Sequence, residues 1–143
     1  MRVGSTLEKI LADYPKDVRM VYKQHPLPMH QNAMPAAEAA MAANAQGKFA
    51  AMNEKLMANS TALSRDKYLQ IAAEIGLNIK KFTSDIDTHA FKASIDAQAA
   101  EAMKVGATGT PASFVNGRYL SGAQPYEAFK KLIDEELAKT AKK

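Results

Sequence analysis

At 143 residues, with 47% apolar and 24% charged side chains, the chain can bury one sizeable core and has an ordinary globular composition rather than that of a disordered segment. No apolar run approaches the roughly 20 residues of a membrane-spanning helix. The formal charge of +4 comes from scattered lysines and arginines, without the clustered, aromatic-interleaved pattern of a nucleic-acid surface. There is no cysteine, which excludes structural disulfides, thiolate metal sites and a sulfur nucleophile.

In chain order, Val3, Leu7, Ile10, Leu11 and Tyr14 recur at helical spacing, and Pro15 stops that helix. Residues 17–24 alternate, with Val18, Met20 and Tyr22 on one side and Arg19, Val21 and Lys23 on the other. This predicts a strand, and two charges on its second face place it at a sheet edge. His25-Pro26-Leu27-Pro28 turns the chain. Residues 31–105 then read as one helix after another. The alanine-rich run 36–45 is a strong helix former, and Phe49, Met52, Leu56 and Met57 continue its apolar stripe. Ser64 is placed to cap a helix carrying Tyr68, Ile71, Ala72 and Ile75, which Gly76 would close in a left-handed conformation. Asn78 caps a short helix bearing Ile79 and Phe82. A further helix over 88–104 carries Phe91, Ile95, Ala99 and Met103 on one side, and Gly106 ends it.

The tail changes character. Ala112-Ser113-Phe114-Val115 and Arg118-Tyr119-Leu120 flank Asn116-Gly117, the strongest short signal for a hairpin. Pro125 opens a final helix with Phe129, Leu132, Ile133 and Leu137 as its buried stripe. Lys139, Lys142 and Lys143 read as a solvated helix end that suits the helix dipole. Three strands are too few for a doubly wound sheet.

Candidate chemistry is sparse. His25, His30 and His89 have no accompanying carboxylate cluster, and zinc needs a third and fourth ligand in fixed geometry, so no metal site is predicted. His30 reads instead as part of a helix start. Ser5, Ser113 and Ser121 lack histidine and carboxylate companions for a hydrolase triad. Met34, Met41, Met52 and Met57 read as core in preference to an adaptable binding surface. No cofactor is predicted.

Two stretches carry a resemblance. Val105-Gly106-Ala107-Thr108-Gly109-Thr110-Pro111-Ala112-Ser113-Phe114-Val115-Asn116-Gly117, followed by Leu120-Ser121-Gly122-Ala123-Gln124-Pro125, closely resembles the cis-proline loop, terminal hairpin and closing helix of DsbA-like thioredoxin-fold oxidoreductases. His25-Pro26-Leu27-Pro28-Met29-His30, followed by Ala36-Ala37-Glu38-Ala39, is similar to that family's turn into its helical insertion. The resemblance implies an α-rich α/β fold, thioredoxin-like, forming one domain over 1–143. Residues 1–30 and 106–143 would be its thioredoxin-like part and 31–105 the inserted helical block.

In that family a Cys-x-x-Cys motif opens the first helix after a central strand. Arg2-Val3 through Leu11 resembles that helix just beyond the second cysteine. The expectation is therefore a truncation before residue 1, leaving an incomplete sheet that lacks its central strand. The implied function is the C-terminal portion of a thiol–disulfide oxidoreductase, itself inactive and without a catalytic residue, because exchange requires a thiolate to attack a disulfide sulfur. Gly109, Thr110 and Pro111 would be the substrate-binding loop, with a cis bond before the proline. Cysteine-containing protein substrates of the full-length protein and a periplasmic or cell-envelope location are implied in the same way. The missing strand would leave backbone groups unpaired, which predicts self-association. The alternative reading is a non-redox thioredoxin-fold peptide-binding or chaperone module.

Overall fold

The computed structural model describes residues 2–141. In chain order these form α1 (Arg2–Asp13), α2 (Ala33–Asn44), α3 (Phe49–Ala58), α4 (Arg65–Glu74), α5 (Ile79–Asp87), α6 (Lys92–Lys104), β1 (Ala112–Val115), β2 (Arg118–Ser121) and α7 (Tyr126–Thr140). They make two compact units, one from the residues up to Tyr22 together with those from Gly106 onward, the other from Lys23–Val105.

In the first unit the apolar stripes of α1 and α7 meet. Ile10, Phe129 and Ile133 are buried, and Val3, Leu7, Tyr14, Val18, Val115, Leu120, Tyr126 and Leu137 pack around them. Polar groups fasten the same two helices: Tyr126 donates its hydroxyl to Asp13 Oδ2 at 2.6 Å, and Tyr14 donates to Asp134 Oδ1 at 2.6 Å. The hairpin turns at Asn116 and Gly117, both left-handed at φ 48° and 84°, the conformation an Asn-Gly two-residue turn supplies without strain. Its register pairs Phe114 with Tyr119. Alternation then sends Val115 and Leu120 to the core and leaves Phe114 and Tyr119 exposed, ring against ring at 5.0 Å.

The strand predicted over 17–24 is not formed; residues 18–27 have no regular secondary structure. Val18 and Met20 are half-buried while Arg19 and Val21 are exposed, so the alternation marks an inward side as far as Val21. It does not supply a partner. A strand exists through its ladder, and the ladder among the described residues is β1 with β2.

In the second unit α2 is central and packs against α3, α4, α5 and α6. Its Ala37, Ala39, Ala40, Ala42 and Ala43 are all buried, so small side chains admit neighbours on several sides. Met52, Leu56, Tyr68, Ile71, Ala72, Leu77 and Phe82 complete this core. The predicted punctuation is present. Ser64 accepts from Lys67 N–H at 3.2 Å, and Asn78 accepts from Lys81 N–H at 2.9 Å. Gly76, at φ 73°, donates to Ala73 C=O at 3.1 Å while Leu77 N–H reaches Ala72 C=O at 2.9 Å, the paired bonds of a left-handed helix stop. No strand interrupts this block among its described residues.

Three readings shift. The helix predicted over 88–104 begins at Lys92, because a left-handed residue at His89 (φ 53°) ends α5 and turns the chain first. Of the apolar stripes, Leu11, Met57, Ile79 and Met103 lie exposed, at the margins of their helices' buried faces. Pro125 caps α7 from outside rather than opening it.

Candidate functional site

The loop before β1 carries the residues singled out from sequence. Ala107 is buried and anchors it; Thr108 N–H bonds to Gly106 C=O at 3.1 Å, and Gly122 N–H bonds to Pro111 C=O at 2.9 Å. The Thr110–Pro111 peptide bond is cis. Gly109 and Pro111 are half-buried and Thr110 is exposed. Gly109 and Thr110 take part in none of the hydrogen bonds among the described residues. No residue of 106–111 is titratable, so the loop can present backbone and shape but cannot itself move a proton.

The three histidines are placed separately in the fold. His30 is exposed, and its carbonyl accepts from Ala33 N–H at 2.9 Å, at the start of α2. His25 is half-buried, and neither of its ring nitrogens has a hydrogen-bond partner. His89 reaches Glu38 of α2. Among the described residues no group of three or more His, Asp or Glu is placed to hold a metal.

A second polar site lies wholly within the helical unit. Glu38 of α2, Arg65 and Tyr68 of α4, and Ile86, Asp87 and His89 at the end of α5 line an open cleft of about 320 Å³. Glu38 is 5% exposed, the buried charged residue among those described. His89 Nδ1 lies 2.8 Å from Glu38 Oε1 and donates to it, since a carboxylate can only accept. The Tyr68 hydroxyl is buried with no partner, and burial pushes the phenol's pKa up, so it remains a neutral donor and acceptor. Arg65 grips Asp87 through two bonds of 2.9 and 2.8 Å, and that grip holds the Asp87 carboxyl below its usual range.

Sequence reasoning gave His89 no role beyond rejecting it as a metal ligand and passed over Glu38. The one available signal was a lone acid inside an alanine run. Alanine on every side of it removes the contrast that would have shown which face it occupies.

The sequence matches the family described as DSBA-like thioredoxin domain over residues 2–134. Among solved structures, a thioredoxin-like oxidoreductase from Silicibacter pomeroyi superposes with a TM-score of 0.81 at 28% identity, covering 96% of this chain and 78% of that one. A thiol-disulfide exchange protein from Wolbachia pipientis gives 0.81 at 19% identity, covering 93% and 72%, a likeness of fold alone. Among curated proteins, a Na(+)/H(+) antiporter NhaA of Herminiimonas arsenicoxydans is 34% identical over 116 residues, 81% of this chain and 18% of the antiporter. One from a Mycobacterium species is 33% identical over 132 residues, 89% and 21%. The chain thus spans about a fifth of the length of the curated relatives it matches.

Proposed function

Since the chain belongs to the DSBA-like thioredoxin domain family, we propose that it is the C-terminal portion of a thiol–disulfide oxidoreductase domain, one that takes no redox step itself but keeps the peptide-facing loop. One observation carries this reading: the matched stretch contains no cysteine. Exchange proceeds by thiolate attack through a mixed disulfide, and no oxygen or nitrogen nucleophile replaces sulfur as a two-electron centre. The coverage of the two oxidoreductase-like structures, 78% and 72% of their lengths, supports the view that the domain extends further in relatives of this kind. By the family, the substrates of the whole protein are cysteine-containing polypeptides and its place is the periplasm or cell envelope.

The antiport belongs to the curated relatives, of which this chain matches about a fifth. The match does support reading this fold as a module that occurs within larger proteins.

The second reading, a non-redox peptide-binding module, is favoured by the exposed Phe114–Tyr119 pair and by the side of β1 that no strand covers among the described residues. An extended peptide beside such an edge gains main-chain bonds, with Gly109, Thr110 and Pro111 at its end.

Insulin reduction driven by dithiothreitol tests the first reading. The purified chain should give the same rate of turbidity as reagent alone. Metal-independent exchange above that background overturns the assignment.

A further inference from the structure

Glu38 is buried with less compensation than a carboxylate requires. Taking an ionised carboxylate out of water is costly unless hydrogen bonds and an opposite charge replace the solvent. The bond it has comes from His89, whose side chain is 64% exposed and which carries a charge only when protonated. Two permanent cations lie in this neighbourhood, and both are committed elsewhere. Arg65 turns two of its nitrogens to Asp87, and Lys92, which feels the Glu38 charge, places its ammonium 2.6 Å from Asp96.

Two further polar groups of the cleft are unspent. The Tyr68 hydroxyl, on a residue 4% exposed, has no partner. Asn32, the residue before α2, makes no capping bond with its side chain. A carboxylate, a phenolic oxygen and an amide oxygen are three acceptors around one cavity. Ile86 and Pro35 supply apolar wall between them.

We propose that this cleft binds a small organic primary ammonium, held between the Glu38 carboxylate and the Tyr68 hydroxyl oxygen. An ammonium carries three donors and one positive charge, which matches three acceptors of which one is a buried anion. An anionic ligand meets Glu38 and Asp87 and finds Arg65 already engaged. A neutral polyol satisfies Tyr68 but leaves the Glu38 charge uncompensated. The site is independent of the thiol chemistry discussed above and stands or falls separately from it.

The test is an NMR titration of the full chain at constant ionic strength, following Tyr68 and His89. Three probes are used: ethanolamine, ethylene glycol as its neutral counterpart, and acetate as an anion. Saturable shifts with ethanolamine, absent with the other two, are expected. Tyr68→Phe removes a hydroxyl with no protein partner, so it should fold normally, yet weaken ethanolamine by about tenfold for the lost bond to a charged group. Glu38→Gln keeps the shape, removes the charge and should abolish the preference for ethanolamine over ethylene glycol. If Glu38→Gln fails to fold, Tyr68→Phe still decides. Equal shifts from ethylene glycol, shifts from acetate alone, no saturable shift at all, or unchanged affinity in Tyr68→Phe each overturn the proposal.

Discussion

His89 and Gly76 stand at equivalent points of two helix stops, both left-handed, at φ 53° and 73°. At His89 the same paired bonds close α5, from His89 N–H to Ile86 C=O at 3.3 Å and from Ala90 N–H to Asp85 C=O at 2.9 Å. Glycine takes this conformation freely, whereas a residue with a Cβ loses about 1 kcal/mol or more there. Backbone preference alone therefore predicts that His89→Gly stabilises the fold. The ring's bond to buried Glu38 argues the other way: a bond to a charged group contributes roughly 1.5–3 kcal/mol, and its loss strands the carboxylate. The second effect is larger, so His89→Gly should lower stability by roughly 0.5–2 kcal/mol, read as a fall in the urea midpoint at constant slope. A raised midpoint would show that Glu38 does not depend on the ring. The pair also shows what single residues disclose. Gly76 was readable as a stop because glycine signals its own conformation. His89 was not, because a residue with a Cβ does not announce a left-handed φ, and the acid its ring meets lies 51 positions away.

Between elements, the α1–α7 contact makes a prediction about pH. The Asp13 carboxyl is held below its ordinary value of 3.8, chiefly by the hydrogen bond from Lys9 and then by that from Tyr126. Asp134 is lowered from 3.8 in the same manner by Lys130 and then Tyr14. A carboxyl that binds its proton more weakly in the folded chain than in the unfolded one adds stability that is complete above 3.8 and disappears as pH falls through the lowered value. The tyrosines behave oppositely. Tyr14 and Tyr126 are raised above 10.0 by their bonds to these carboxylates, so their contribution is complete below that value and lost as pH rises through the raised one. All four groups are solvated, so the effects are small and screened. Urea midpoints against pH should decline at both ends at low salt and flatten in about 1 M NaCl, where screening is nearly complete. Asp134→Asn should remove part of the acid limb; an unchanged profile would place that limb elsewhere. Periodicity disclosed the two stripes, Val3-Leu7-Ile10 and Phe129-Ile133. It could not disclose that Asp13 would meet Tyr126, because polar pairing across 113 positions leaves no local trace.

For the molecule as a whole, order and type of the helices and the hairpin were readable because caps and turns are local chemistry. The strand at 17–24 was misread because a strand is a relation between two segments, and alternation describes one. The side of β1 away from β2 carries no strand among the described residues, and it bears on the state of association. Unpaired strand edges recruit strands, and exchange of an element between copies satisfies them. Size-exclusion chromatography with light scattering at micromolar concentration should therefore find an oligomer; a cooperatively melting monomer would sink that proposal. A different consequence follows from the way the chain leaves the first unit at Tyr22 and returns to it at Gly106. For α1 and α7 everything between those points is a single closed loop, whatever it folds into. The entropy of closing a loop grows only with the logarithm of its length, so doubling it costs about 0.6 kcal/mol. By loop-closure entropy alone, therefore, residues added to or removed from 23–105 change the cost of bringing α1 and α7 together only slightly.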